Sequence, residues 1–275
     1  MTAGAGNLLE RMAVAGRARV EAARAREPLA ALRARAVDRP APPALTLDPR
    51  GFDLIAEVKL RSPSAGRLAE DTLDPAAQAV GYATAGAAAV SVLTEPLEFG
   101  GSLEHLAAVA EALAPIGVPA MRKDFLVDVY QIWEARAVGA GGVLVILAML
   151  DNRAVVELVQ AAAEAGLFVL LEAFDGAELE RAAALLSRLA EAEVLLGLNC
   201  RDLRSLAVDR QRFESLRGGF APGWPSVAES GLASAADAAW VSGLGYDLAL
   251  VGASLMRAPA PGALLAEMLV AGRAV

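Results

Sequence analysis

The chain has 275 residues, 56% of them hydrophobic, and a formal net charge of −8, so it is long enough for one barrel-sized core or two small ones, and its acidic balance argues against a nucleic-acid footprint. One cysteine, Cys200, and one histidine, His105, exclude a disulfide framework, a thiolate metal cluster, a multi-His zinc site and a His-based triad. No apolar stretch reaches the roughly 20 residues that span a bilayer, and the first residues mix Glu and Arg without a leader pattern; the expectation is a monomer of the reducing cytoplasm, with no nucleic-acid or membrane partner.

Residues 5–37 are rich in Ala, Arg, Glu and Leu, good helix formers, and the run stops at Pro40-Ala-Pro-Pro43. From Leu54 onward one unit repeats: a short apolar strand, a polar loop, then an amphipathic helix. Strands are expected at 54–58, 88–93, 118–122, 142–147, 167–172, 194–199, 225–229 and 247–252. Helices are expected near 75–86, 102–113, 129–138, 151–165, 176–191, 205–217, 233–242 and 260–272. Eight strands apolar on both faces, alternating with eight helices, predict an α/β fold of the (β/α)8 TIM-barrel type. A doubly wound open sheet is the rival, weakened because no GxGxxG opens the first unit. No split is visible, so a helical extension over 1–50 packed on a barrel over 51–275 reads as one domain.

In such a barrel the chemistry lies at the C-terminal strand ends. Those ends carry Glu57 and Lys59, then Lys123, Glu172, Asn199 and Arg201, Glu229 with Ser230-Gly231, and Gly252. Lys59 and Lys123 are the only lysines; arginine fills every other basic position. A guanidinium stays charged at any working pH, whereas an amine can exchange a proton. Glu57 and Lys59, two apart on a strand, share a face. With Lys123 and Glu172 they bring two amines and two carboxylates together, a cluster that splits pKa values and suits general acid–base chemistry. At least one amine is expected to have its pKa lowered by its cationic neighbour and partial burial. A salt-bridge network that only stabilises the barrel top is the bland alternative.

An anion site is expected across the mouth. Glu229-Ser-Gly-Leu232 and Val251-Gly-Ala-Ser254 follow the last two strands, where barrels of this type commonly hold phosphate on backbone N–H groups. A carboxylate introduced at Gly252 is then expected to act chiefly on KM. No Walker loop, DxDxDG loop or paired Cys motif appears, so neither a nucleotide nor a metal is implied.

The segments Leu54-Ile-Ala-Glu-Val-Lys-Leu-Arg-Ser-Pro-Ser64, Arg122-Lys-Asp-Phe125, Tyr130-Gln-Ile-Trp-Glu-Ala-Arg136, Gly197-Leu-Asn-Cys-Arg-Asp-Leu203 and Ala228-Glu-Ser-Gly231 closely resemble the motifs of the indole-3-glycerol phosphate synthase family. The likeness runs from about residue 5 to the C-terminus and includes that family's extra N-terminal helical segment. It implies a cofactor-free and metal-free lyase of tryptophan biosynthesis that acts on 1-(2-carboxyphenylamino)-1-deoxyribulose 5-phosphate. By this resemblance Lys123 is the general acid and Glu172 its acid–base counterpart in dehydration. Lys59 contacts the substrate carboxylate, Glu57 orients the lysines and Asn199 bonds the reacting centre; the division of labour between the lysines stays open. Ser62, Pro63, Arg201, Glu229, Ser230, Gly231, Gly252 and Ala253 fall to substrate binding, mostly on the phosphate side, while Phe99, Phe125, Leu144 and Leu203 wall the anthranilate ring.

Three positions depart from the family pattern: Ala65 where lysine is frequent, Phe174 where histidine is, and Ala253 where serine is. None removes a proposed proton carrier. Other phosphate-binding barrels, such as a phosphoribosylanthranilate isomerase or a thiazole synthase, are the enzymatic alternatives. The isomerase usually places a cysteine after its first strand, where this chain has Glu-Val-Lys. A degenerate barrel kept as an interaction partner is the non-enzymatic one.

Overall fold

Eight parallel strands pair side by side in chain order and the last returns to the first, closing a barrel. They are β1 Asp53–Val58, β2 Ala89–Leu93, β3 Ala120–Lys123, β4 Gly142–Ile146, β5 Phe168–Ala173, β6 Val194–Asn199, β7 Ser226–Glu229 and β8 Leu248–Val251. Each lies within two residues of the bounds read from the sequence. The computed structural model describes residues 8–64, 66–68, 73–187, 189, 192–201 and 206–275. Leu203, Ala65 and parts of the helices expected over 176–191 and 205–217 lie outside the described residues.

The run of apolar residues on both strand faces has a direct structural cause. Outward-facing residues such as Leu54, Ala56, Val90, Val92, Val143 and Val169 pack against the surrounding helices in one core. Inward-facing Ile55, Ala89, Met121, Leu144, Phe168, Leu170, Leu195, Val227 and Leu248 fill the barrel as a second core. The period-2 alternation of a strand sends alternate residues to these two cores. Around the barrel lie α3 Pro75–Thr84, α4 Leu103–Leu113, α5 Val129–Ala137, α6 Asn152–Glu164, α7 Gly176–Leu186, α8 Gln211–Ser215, α9 Ala235–Gly243, α10 Ala253–Arg257 and α11 Pro261–Arg273. Asp74, Ser102, Asp128, Asp151, Asp175 and Ser234 cap the N-termini of α3, α4, α5, α6, α7 and α9 with side-chain oxygens. Each cap satisfies an amide left unpaired in the first turn.

The helical prelude is two helices, α1 Leu8–Arg26 and α2 Leu29–Val37, where the composition alone reads as one run. Pro28 causes the break: it has no N–H to donate and sits in an extended conformation at the start of α2. Val20, Ala23, Leu32 and Ala36 join the outer core. Arg24 pairs with Asp128 at 2.7 Å and Arg19 with buried Asp124 at 2.9 Å. The extension is thereby tied to the chain immediately after β3. Gly16 permits this approach, since a Cβ there would lie 3.2 Å from the Phe125 carbonyl oxygen.

The helix expected over 205–217 shrinks to α8. Arg201 forms a bridge with Val208, and the Asp209 N–H donates to the Cys200 carbonyl at 2.9 Å, which holds 206–210 in irregular backbone. A short antiparallel pair, Arg61–Ser62 with Gly66–Arg67, follows β1, where the repeating unit predicts only a polar loop. Among the described residues, no helix is long and apolar enough to cross a membrane.

Candidate active site

Alternate strands of a (β/α)8 barrel contribute side chains to common layers. In this chain β1, β3, β5 and β7 send Glu57, Lys123, Glu172 and Glu229 inward near their C-terminal ends. The Lys123 ammonium lies 3.0 Å from Glu229 Oε2, 3.6 Å from Glu172 Oε2 and 3.9 Å from Glu57 Oε2. Lys59, just past β1, donates to Glu57 Oε1 at 2.5 Å. All three carboxylates are buried. The sequence reading assembles the cluster from Glu57, Lys59, Lys123 and Glu172 and assigns Glu229 to the substrate side. The structure makes Glu229 the nearest carboxylate to Lys123. Counting alternate strand ends from Glu57 would have placed it there.

Two ammonium groups thus face three carboxyl groups, and the pKa values divide accordingly. Burial disfavours the Lys123 ammonium, yet the fields of Glu229, Glu172 and Glu57 outweigh it and leave the pKa raised. The expectation of a lowered lysine pKa is therefore reversed at Lys123, because its nearest charges are anions and not the other lysine. Burial also acts against ionised Glu57, but Lys59 and Lys123 hold its pKa below the usual value. Glu229 goes the other way. Burial and neighbouring Glu172 push it from 4.5 up to about 8 against the pull of Lys123.

This upward shift has a testable sign. Between pH 4.5 and about 8 the folded protein keeps a proton on Glu229 that the unfolded chain has released. The native state binds more protons there, so this group makes stability fall as pH rises through that window. Glu229→Gln, neutral throughout, should flatten the slope. Urea unfolding at about pH 5 and pH 8 measures it; equal slopes in wild type and variant would place the proton elsewhere.

Above the charged layer, Asn199 donates from Nδ2 to Glu172 Oε2 at 3.1 Å, and its carbonyl oxygen accepts from the Arg201 N–H at 3.0 Å. These two bonds fix which way the amide points. The layer floors a cavity of about 500 Å³. One wall is apolar: Phe99, Phe125 and Leu144 line it, with the two rings 6.0 Å apart between centroids. Ser62, Pro63, Arg201, Ser230, Gly231, Gly252 and Ala253 line the cavity on its more polar side. Ser230 and Gly231 both have φ of 74°, a left-handed pair that turns the chain sharply after β7. Ser254 Oγ donates to the Leu232 carbonyl at 3.0 Å, joining the loops that follow β7 and β8.

Every site residue proposed from sequence lines this cavity except Leu203, which lies outside the described residues. Phe174 does not line it; its N–H donates to Glu178 Oε2 at 2.8 Å. The sequence reading missed Leu8, Ile146, Leu206 and Arg257, all cavity-lining. Leu8 is the least expected, since it comes from the N-terminal extension. Its only signal is the i, i+4 pair Leu8 and Met12 in a helix of mostly Ala and Arg, and both pack into the inner core.

Barrels of this architecture place their chemistry at the C-terminal strand ends, and the titratable layer lies there: the chain is a (β/α)8-barrel enzyme. The sequence model of the indole-3-glycerol phosphate synthase family matches residues 9–268, and the chain belongs to that family. The Streptomyces griseus indole-3-glycerol phosphate synthase is 44% identical over 222 residues, covering 81% of this chain and 79% of the relative. The Mycobacterium leprae enzyme of the same name is 40% identical over 262 residues, covering 93% and 91%. Solved structures with the same fold include 3-hexulose-6-phosphate synthase from Salmonella typhimurium, with TM-score 0.60, 14% identity and coverage of 80% of this chain and 98% of that one. Orotidine 5'-phosphate decarboxylase from Pyrococcus horikoshii gives TM-score 0.56, 14% identity and coverage of 82% and 100%. At such identities the likeness is one of fold.

Proposed function

We propose that this barrel converts 1-(2-carboxyphenylamino)-1-deoxyribulose 5-phosphate into indole-3-glycerol phosphate by general acid–base catalysis. The observation that carries the reading is the Lys123 ammonium held among three carboxyl groups on the floor of a cavity with an apolar wall and a glycine- and serine-bearing side. The ring carbon that bears the carboxylate bonds to the ketone carbon, and the ketone oxygen takes a proton from Lys123. The carboxylate, paired until then with Lys59, leaves as carbon dioxide, and its electron pair restores the ring. The new hydroxyl then leaves as water with a second proton from the cluster, while Glu172 removes a proton from the methylene carbon next to nitrogen. Asn199, bonded to Glu172, keeps that carboxylate aimed. Phe99, Phe125 and Leu144 hold the aromatic ring; Ser230, Gly231, Gly252 and Ala253 receive the phosphate.

The same reading makes the enzyme a cytoplasmic monomer. Cys200 is a buried free thiol, which suits a reducing compartment. The decisive experiment is indoleglycerol phosphate fluorescence from synthetic substrate with the purified protein. Absence of product at high enzyme concentration would sink the reading.

A second test uses the scarcity of lysine. Lys59 and Lys123 have side chains only 15% exposed, and the raised pKa of Lys123 keeps its amine protonated and unreactive. An amine-acylating reagent should modify Lys123 far more slowly in the folded than in the unfolded protein. Modification of either lysine should inactivate the enzyme, and a bound product analogue should protect both, as peptide mass mapping would reveal. Activity retained with both lysines acylated would show that neither carries the chemistry.

A further inference from the structure

Gly197 lies within β6, beside Glu172 of β5 and Val227 of β7 in the strand register. It does not line the cavity. A glycine inside a strand weakens it and commonly marks a place that another group must approach, and here the group is identifiable. A Cβ at position 197 would lie 2.1 Å from Glu229 Oε1, 3.2 Å from Glu229 Cδ and 3.0 Å from Leu170 Cδ1. The Leu170 methyl is the end of a flexible chain and can turn aside. The Glu229 carboxyl cannot do so freely, since its Oε2 lies 3.0 Å from Lys123 Nζ and the whole group is buried.

We propose that Gly197 is a positioning residue: by leaving its Cβ volume to the Glu229 carboxyl, it sets Glu229 against Lys123 and so aims the Lys123 ammonium at the cavity. This rests on the reading of Lys123 as proton donor. Gly197 is not among the residues lining the cavity, and the atoms an added methyl would meet belong to Glu229 and Leu170, so its effect passes through Glu229. A displacement of about 1 Å in a reacting group is enough to lower turnover on the order of 10²-fold.

The test is a double-mutant cycle of Gly197→Ala and Glu229→Asp, followed by steady-state kinetics and urea unfolding. Gly197→Ala alone should lower kcat by on the order of 10²-fold with KM within about threefold, and should displace the pH profile of kcat. Glu229→Asp, one methylene shorter, withdraws the carboxyl from the contested volume. In that background the added methyl should lower kcat by less than about threefold, an antagonism that a general packing defect would not produce. A Gly197→Ala variant with kcat within about threefold of wild type, or effects of the two substitutions that multiply, would overturn the proposal. If Gly197→Ala alone does not fold, recovery of a folded protein in the double variant supports it and failure of the double variant overturns it. Failure of the underlying reading is separate: wild type would then make no indoleglycerol phosphate. In that case the cycle is read in unfolding free energies, where antagonism supports the Gly197–Glu229 coupling and simple additivity overturns it.

Discussion

Lys123→Met is expected to lower kcat by on the order of 10⁴-fold while leaving substrate affinity within about tenfold. Methionine keeps the length of the aliphatic stem and removes the proton. The phosphate-side loops and the apolar wall, where the substrate is proposed to bind, are untouched by it. The same change should lower stability. Lys123 is the cation within 4 Å of three buried carboxyl groups, and deleting one partner of a buried ion pair typically costs about 3–5 kcal/mol. Part of that loss is offset because Glu229 already tends to hold a proton near neutral pH. Single-turnover kinetics, equilibrium binding of a product analogue and urea unfolding together separate these effects. A variant that keeps most of the wild-type kcat would move the acid role to Lys59.

The barrel was legible in the sequence because its strands are buried on both faces, so that each appears as a short apolar run between polar loops. Leu54, Ala56 and Val58 face the helices while Ile55 faces the interior, and closing eight such strands into a ring brings their polar C-terminal ends to one mouth. The two lysines were legible for a different reason, as the only side-chain amines in an arginine-rich chain. What composition and spacing could not show was the arrangement within the layer. Glu229 stands next to a Ser-Gly turn, which suggests a phosphate loop, and its partnership with Lys123 depends on which strands share a layer. The sign of the Lys123 shift depends on the same count: one lysine neighbour predicts a lowered pKa, three carboxylates a raised one. Local backbone chemistry was partly hidden as well. Pro28 divides an otherwise continuous helical composition, and the bridge from Arg201 to Val208 overrides the helical propensity that follows it.

Gly252→Asp is the substitution whose expected outcome changes most once the structure is known. Read from sequence, it sets a carboxylate against the phosphate and acts chiefly on KM. In the structure a Cβ at position 252 would lie 2.3 Å from Glu57 Oε1, 3.0 Å from its Cδ and 3.1 Å from its Cβ. Three atoms of Glu57 crowd that point, so the whole side chain must shift. Glu57 holds Lys59 at 2.5 Å and stands 3.9 Å from Lys123, and a shift there disturbs both amines. Gly252→Ala should therefore lower kcat by on the order of 10²-fold with KM within about threefold. Gly252→Asp should share that loss and add a rise in KM of tenfold or more. Two like unit charges 4 Å apart repel by about 4 kcal/mol at an effective dielectric near 20, and a phosphate dianion doubles the charge. Measuring kcat and KM for both variants separates the displaced Glu57 from the opposed phosphate. Wild-type kcat in Gly252→Ala would mean that Glu57 can move without consequence and does not orient the lysines. An unchanged KM in folded Gly252→Asp would place the phosphate elsewhere in the cavity, away from the loop that follows β8.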